Sequence, residues 1–536
     1  MYKLYTLAYF ISSSFILVFG VMLIISPITG LLPLLSDDAF YYQVIARNIA
    51  QGVGITFDGL SRTNGFHPLY LAVLVPIHLV LQDNLNLILR VTLFIDLLFF
   101  VAASFLILKF VEKLNGSRAG LVAGLAFLFN PWALTIIING VESAIYIFFL
   151  ILTFLVYTKF RETLTWPTIF HNRTIYLFVF LCALTILART EAIIFVPCVA
   201  IDLFTHLNIR AGREGIQSQI KHYASAFIVV VGGLLLLLLP WTLWNLRNFD
   251  TLMQSSGSTL FYHTHQNIPI NDLRYWLQGA VSAKTILIRA TLFSFQLISL
   301  FIPLLILMVL LPKKYRQERI RGKAHKLSPL FVISIYNIGI LFFYAFILRR
   351  NQVWYFSSLV VFSAILFAVL GNWFIQRNEF HNKPKNKSSF IFLWIFLLFT
   401  FGCGVFYWQI FGYSRSDSML DGYKIAAWFK KTTPGSVRIA TWSSGVIGFY
   451  SERTVINLDG MVNNEILPYL KARNGFLYDM DTMMDYIQSK NIDYITDIDV
   501  LPLTFISLDL ELGFEVVATF PSSVDPNNNL NIYRIR

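Results

Sequence analysis

The sequence predicts a polytopic α-helical membrane protein with a C-terminal α/β domain outside the bilayer, and three observations carry that expectation. The 536-residue chain is 56% hydrophobic and only 13% charged, where a soluble protein carries about 25% charged residues. Long apolar runs alternate with short basic segments, the pattern of membrane spans and their topology determinants. After about residue 411 the composition changes abruptly to mixed polar and apolar residues rich in Asp, Asn and Gly, which marks a domain boundary.

The formal net charge of +12 suits orientation better than nucleic-acid binding, because the basic residues sit in the connectors between apolar runs. Cys182, Cys198 and Cys403 lie apart within apolar stretches, so neither a disulfide framework nor a metal cluster is expected.

The first apolar run, residues 4–25, follows Lys3 and has no small-residue cleavage site after it. It is long enough to span and reads as the first transmembrane helix rather than a signal peptide. Basic connectors follow at Lys109, Lys113 and Arg118, at Lys159, Arg161 and Arg173, at Arg210, Arg213 and Lys221, across 313–326, and at Arg377, Lys383, Lys385 and Lys387. Placed on the cytoplasmic side, they require an even number of spans between neighbours. Helix pairs turning at Asn139-Gly140-Val141-Glu142, at Arg189-Thr190-Glu191, around the polar loop from Asn245 to Ala283, and at Arg349-Arg350-Asn351 satisfy that parity. The count is about 11 transmembrane helices, amino terminus cytoplasmic and carboxyl terminus extracytoplasmic. Residues 69–81 are too short for a full span and contain Pro76 and His78, so they read as an interfacial or re-entrant helix.

The division is thus a membrane domain, 1–411, with an outer loop at 28–68, and a soluble domain, 412–536. Within the latter, helices are expected at 418–431 and 479–490. Strands are expected at 437–441, 454–458, 492–496, 514–520 and 530–535, with a Gly-punctuated turn at 443–450.

Polar residues gather on one predicted side. Asp37 and Asp38 follow the first span, and the same loop ends Thr63-Asn64-Gly65-Phe66-His67-Pro68. The acidic pair reads either as a cap of the amphipathic stretch from Ala39 to Ala50 or as functional carboxylates, and the two readings are compatible. Two carboxylates so close do not both ionise cheaply, so one is a candidate general base, or the pair a cation site. His67 reads equally as an interface histidine or a phosphate-binding group. Glu142, Arg189 and Glu191 are ionisable groups that lipid would penalise, which points to function or to an Arg189–Glu142 pair. Arg247, Arg349 and Arg350 lie at span ends, where arginines commonly mark an interface. Trp241, Trp244, Trp354 and Tyr355 read as interfacial aromatics, with sugar stacking as the lesser alternative. No nucleotide-binding loop, dinucleotide fingerprint or zinc spacing occurs, so an energy-rich donor must arrive another way, and a membrane-dissolved lipid phosphate fits.

The first span, the loop opening Asp37-Asp38-Ala39-Phe40-Tyr41-Tyr42, its continuation Asn48-Ile49-Ala50-Gln51-Gly52 and the Thr63 to Leu69 stretch resemble the GT-C superfamily of polyprenyl-phosphate-sugar-dependent glycosyltransferases. The likeness is to the bacterial branch related to protein O-mannosyltransferases and lipid A aminoarabinose transferases. That resemblance implies an inverting glycosyltransferase, hexosyl or pentosyl, in the cell membrane. It would move sugar from a polyprenyl-phosphate donor to an envelope glycan, lipid or protein acceptor at the outer face. It implies Asp37 as general base with Asp38 beside it, and His67, Glu142 and Arg189 as donor-phosphate or substrate-binding groups; Arg247 and Arg349 are added as candidate binding groups from their place on the same predicted side. His67-Pro68 stands where aminoarabinose-transferase-like members have Lys-Pro. No ligand spacing demonstrates a metal, and a divalent cation is left open. The rival from another class is a transporter or flippase of lipid-linked sugars; a non-catalytic envelope scaffold would leave the acidic pair idle.

Overall fold

The computed structural model describes residues 2–82, 84–163, 172–210, 216–265, 274, 276–281, 283–284, 329–350, 352–379, 413–472, 480–498, 513–525 and 527–536. Among them, six helices are long and apolar enough to cross a bilayer: Tyr5–Ile25, Leu85–Asn115, Ser143–Glu162, Ala224–Phe249, Pro329–Ile347 and Trp354–Asn372. The chain is a multi-pass membrane protein built of α-helices. The spans expected after Ala283 and just before Phe411 lie outside the described residues.

Two local departures from the expected spans have clear causes. The apolar stretch before Asn139 is a pair of helices, Ser117–Leu128 and Trp132–Ile138, bent by 55°. Pro131 cannot supply the amide that a continuous helix needs. The Asn130 side chain instead accepts from the Trp132 and Ala133 amides at 2.9 and 3.3 Å and starts a new helix. The pair turning near Arg189 is present as Arg173–Ala188 and Phe195–Arg210, joined by a tighter turn at Thr190–Ile194. Pro68–Leu81 forms a helix of 14 residues, about 21 Å long, short of the roughly 30 Å hydrocarbon core.

The C-terminal domain holds one five-stranded sheet: β1 (Arg438–Thr441), β2 (Thr454–Asn457), β3 (Tyr494–Ile495), β4 (Phe514–Pro521) and β5 (Asn529–Ile535). Its order is β2-β1-β3-β5-β4. β1 runs parallel to β2 and β3, while β5 runs antiparallel to β3 and β4. The central strands read as apolar runs, and Ile439, Ala440 and Ile456 are completely buried, as parallel strands covered on both faces must be. Helices Tyr413–Thr432 and Met480–Ser489 flank the sheet.

The stretch expected as a Gly-punctuated turn is instead a short helix, Gly445–Ser451. It lies beside the Asp37–Ala50 helix, with Phe40 against Phe449 and Tyr450 at 5.6 and 6.0 Å between ring centroids. Phe40 is wholly buried there, which contributes about 1.5–3 kcal/mol to holding the two domains together. The carboxyl ends of β1 and β2 therefore face the membrane helices, the edge at which sheets of this kind bind ligands.

Candidate active site

The Asp37–Ala50 helix is set in place from below. The Ser36 amide donates to the Asn139 carbonyl at 3.2 Å. Gly140, at φ +79°, brings its backbone so close that a Cβ would sit 2.9 Å from the Ala39 methyl. The residue preceding the helix is Ser36, and Asp37 and Asp38 fall in its first turn, where negative charge suits the helix dipole.

Asp37 was expected to be the general base, and its geometry gives it another task. Its two carboxylate oxygens accept from the amides of Gly445 and Val446 at 2.9 and 2.8 Å. At the other end of the same short helix, the Arg47 guanidinium donates to the Gly448 and Phe449 carbonyls at 3.0 and 2.9 Å. An acid thus holds the amino end and a base the carboxyl end, each matching the partial charge there. Asp37 is a docking residue for the C-terminal domain.

Asn64 makes a second joint. Its oxygen accepts from Asn464 at 2.8 Å and from the Ser255 amide at 2.9 Å, while its amide nitrogen donates to Asn245 at 2.9 Å. Ser255 and Thr259 donate to the carbonyls of Met461 and Gly460 at 2.8 and 2.9 Å. Gly65 is required because a Cβ would overlap the Met461 carbonyl oxygen.

Glu142 and Arg189 do meet, but as a buried ion pair. Arg189, 2% exposed, reaches Glu142, Glu191 at 2.5 Å and the Tyr344 hydroxyl at 2.9 Å. Tyr42 donates to the second oxygen of Glu142 at 2.8 Å, and Tyr344 donates to Glu191 at 2.7 Å. Buried charges persist only when paired this fully. Arg189 is committed to two carboxylates and does not suit the phosphate-binding role expected of it; Glu142 likewise supports the site from beneath. His67 sits at the edge of this network, Nε2 3.8 Å from Glu142 and Nδ1 3.5 Å from Gln254. Burial pushes its imidazole pKa down, the Glu142 carboxylate opposing, so it acts as a neutral hydrogen-bonding group.

Arg247 and Arg349 do not join the cluster. Arg247 lies exposed in the last turn of the Ile216–Phe249 helix. Arg349 turns toward Gln278, 2.7 Å away.

Asp37, Asp38, His67, Tyr355, Arg350 and Asp459 keep part of their surface accessible above the buried network. Tyr355 stacks on Tyr344 at 4.5 Å and 8°, and lies in the fields of Asp38, Arg189 and Arg350. It is part of the cluster rather than of an interfacial belt. Asp459 follows β2 in the C-terminal domain. Burial pushes its carboxyl up to about 7, and the charges of Asp38 and Asp37 push the same way against hydrogen bonds from the Met461 amide and Asn457. Tyr41 feels all three carboxylates and bonds Ser444. Arg47 and Asp459 carry no motif that the sequence alone would single out; for Asp459 the Asn-Leu-Asp-Gly turn after a strand was the available hint. Among the described residues no group of three or more His, Cys, Asp or Glu side chains is gathered to hold a metal ion.

A bundle of apolar helices thus meets a C-terminal α/β domain at a group of loop carboxylates. The chain is similar in structure, over 98% of its length and 97% of the other's, to ArnT from Cupriavidus metallidurans bound to undecaprenyl phosphate, at TM-score 0.55 and 12% identity. It is also similar to the oligosaccharyltransferase AglB from Archaeoglobus fulgidus in complex with an inhibitory peptide and a dolichol-phosphate. That match covers 90% of this chain and 69% of the other, at TM-score 0.52 and 12% identity. Both are GT-C glycosyltransferases using polyprenyl-phosphate-linked sugars. Residues 412–533 match a family model described as a domain of unknown function, DUF8728. No curated protein matches in sequence.

Proposed function

We propose that this chain is an inverting glycosyltransferase that moves a hexosyl or pentosyl unit from a polyprenyl-phosphate donor to an acceptor hydroxyl at the outer membrane face. The observation that carries this reading is the division of labour in the acidic pair. Asp37 spends both oxygens on the Gly445 and Val446 amides, and Asp38 is the carboxylate whose charge acts on Tyr355 as well as on Asp459.

In this mechanism the donor's prenyl tail lies in the bilayer beside the apolar helices and its phosphate reaches the accessible rim. Arg350 makes no ion pair with any described residue, which suits it to the phosphate, with His67 as a hydrogen-bonding neighbour. Asp38 takes the proton of the acceptor hydroxyl. The acceptor oxygen forms a bond to the anomeric carbon from the face opposite the phosphate. The carbon–oxygen bond to phosphate breaks, and polyprenyl phosphate leaves with the electron pair. The basic connectors favour an amino terminus in the cytoplasm and a C-terminal domain outside.

The test is lipid and glycan mass spectrometry of cells with and without the chain. Loss of an envelope glycan together with accumulation of an externally facing polyprenyl-phosphate sugar supports transfer. Donor accumulating on the cytoplasmic leaflet would instead indicate a flippase and overturn the proposal.

A further inference from the structure

The Gly445–Ser451 helix has another neighbour at the end remote from Asp37. A cleft of about 570 Å³ opens where it and the Tyr413–Thr432 helix meet the start of the Leu85–Asn115 helix, lined by the polar Asn84, Asn86, Tyr423, Lys430, Tyr450 and Glu452 and by the apolar Leu85 and Ala427. That volume falls in the range of about 300–1,000 Å³ typical of ligand sites, which favour domain junctions. Both domains build it. The Tyr450 hydroxyl donates to the Asn86 side-chain oxygen at 3.1 Å, joining the two walls. Tyr423 and Tyr450 meet edge to face at 4.8 Å.

The chemistry of the lining selects a ligand class. Lys430 pairs with Glu452 at 2.5 Å, so the two charges in the lining cancel; the Arg90 field that reaches Tyr450 comes from outside the lining, where its guanidinium is held by the Ile24 and Ser26 carbonyls. A hydrocarbon chain would offer no acceptor to the Asn84 and Asn86 amide nitrogens or to the Tyr423 phenol. Asn84 spends its oxygen on the Leu87 amide at 3.1 Å and retains its NH₂ donors; Asn86 likewise offers donors beside the oxygen that Tyr450 occupies. Aromatic surface with amide donors and phenolic hydroxyls matches a neutral, hydroxyl-rich ring. Tyr450 lies five helical steps beyond Gly445, held by Asp37, roughly 8 Å along the axis, a span that a short run of sugar units covers.

We propose that this cleft is a carbohydrate subsite, holding sugar units of the acceptor away from the reacting end, so that the acceptor is a glycan of several residues. The word acceptor rests on the function proposed above; carbohydrate binding in the cleft does not.

The experiment uses the full-length protein in lipid nanodiscs, probed on an array of neutral and acidic oligosaccharides and, in parallel, on an array of Ser- and Thr-containing peptides. Neutral oligosaccharides are expected to bind. Tyr423→Ala and Asn86→Ala should each weaken that binding about tenfold, as loss of a contact residue does, whereas Asp38→Asn, outside the cleft, should leave it unchanged. Silence on the oligosaccharide array, binding of peptides alone, or binding indifferent to both Ala substitutions overturns the inference. Bound oligosaccharide lost in Tyr423→Ala, alongside transfer that survives Asp38→Asn, would sink the mechanism and keep the cleft. Transfer that needs Asp38 with a silent array would do the reverse.

Discussion

The Asp37 carboxylate clasps the amides of Gly445 and Val446 across 408 and 409 positions of sequence, at 2.9 and 2.8 Å. The loop that carries the candidate base is therefore also the seat of the C-terminal domain. Replacing Asp37 with Ala should weaken docking by about 0.5–2 kcal/mol, the usual worth of a helix-capping group. Gly445→Ala should cost more, because its Cβ meets the Asp37 backbone oxygen as well as the side chain. Hydrogen exchange at residues 445–451 reads both effects; unchanged protection in both variants would refute the clasp.

Arg189 should behave as a structural cation. Removing one partner of a buried pair costs about 3–5 kcal/mol because the other charge is left uncompensated. Arg189→Ala should lower thermal stability and yield of folded protein, and Arg189→Lys should not restore them, since a single ammonium cannot reproduce the fork reaching Glu142, Glu191 and Tyr344. A stable Arg189→Ala protein with weakened lipid-phosphate binding would return this residue to the phosphate site.

Arg350 should carry the phosphate contact instead. Arg350→Ala should weaken binding of undecaprenyl phosphate to the nanodisc protein about 10- to 100-fold, the worth of a charged hydrogen bond, with little change in melting temperature. Equal binding by variant and wild type would remove Arg350 from the mechanism.

Asp459 gives docking a pH dependence. Its carboxyl is raised from 3.8 to about 7, chiefly by burial. Between those values the docked form keeps a proton that the freed side chain loses, so docking stability falls as pH rises from about 4 through 7 and is level above. Asp459→Asn, which mimics the protonated form, should flatten that profile in hydrogen exchange at residues 458–464. A wild-type profile that rises across the same window would contradict the assignment.

Much of this architecture was legible locally. Apolar length marked the spans, alternation and turn residues marked the strands near their observed bounds, and the Asp37-Asp38 and Asn64-Gly65 segments marked the ends of the site. What stayed hidden was pairing at a distance. Nothing near Asp37 announces Gly445, and the Ser443–Tyr450 stretch reads as a turn because its helix needs Asp37 and Arg47 to complete its ends. Arg189 looked available for a phosphate because its two carboxylate partners converge only in the folded bundle, one of them 47 residues away. Asp459 drew no notice because its perturbation comes from burial and from carboxylates in another domain.

The central claim is that Asp38, not its neighbour, removes the acceptor proton. Asp37→Asn and Asp38→Asn, each expressed at equal level in cells lacking the native chain, should separate in envelope-glycan mass spectrometry. The account predicts that Asp38→Asn lowers the transferred glycan about 10²-fold or more, as loss of a general base does, with the C-terminal domain still docked, while Asp37→Asn retains measurable transfer. Full glycan in Asp38→Asn would contradict it.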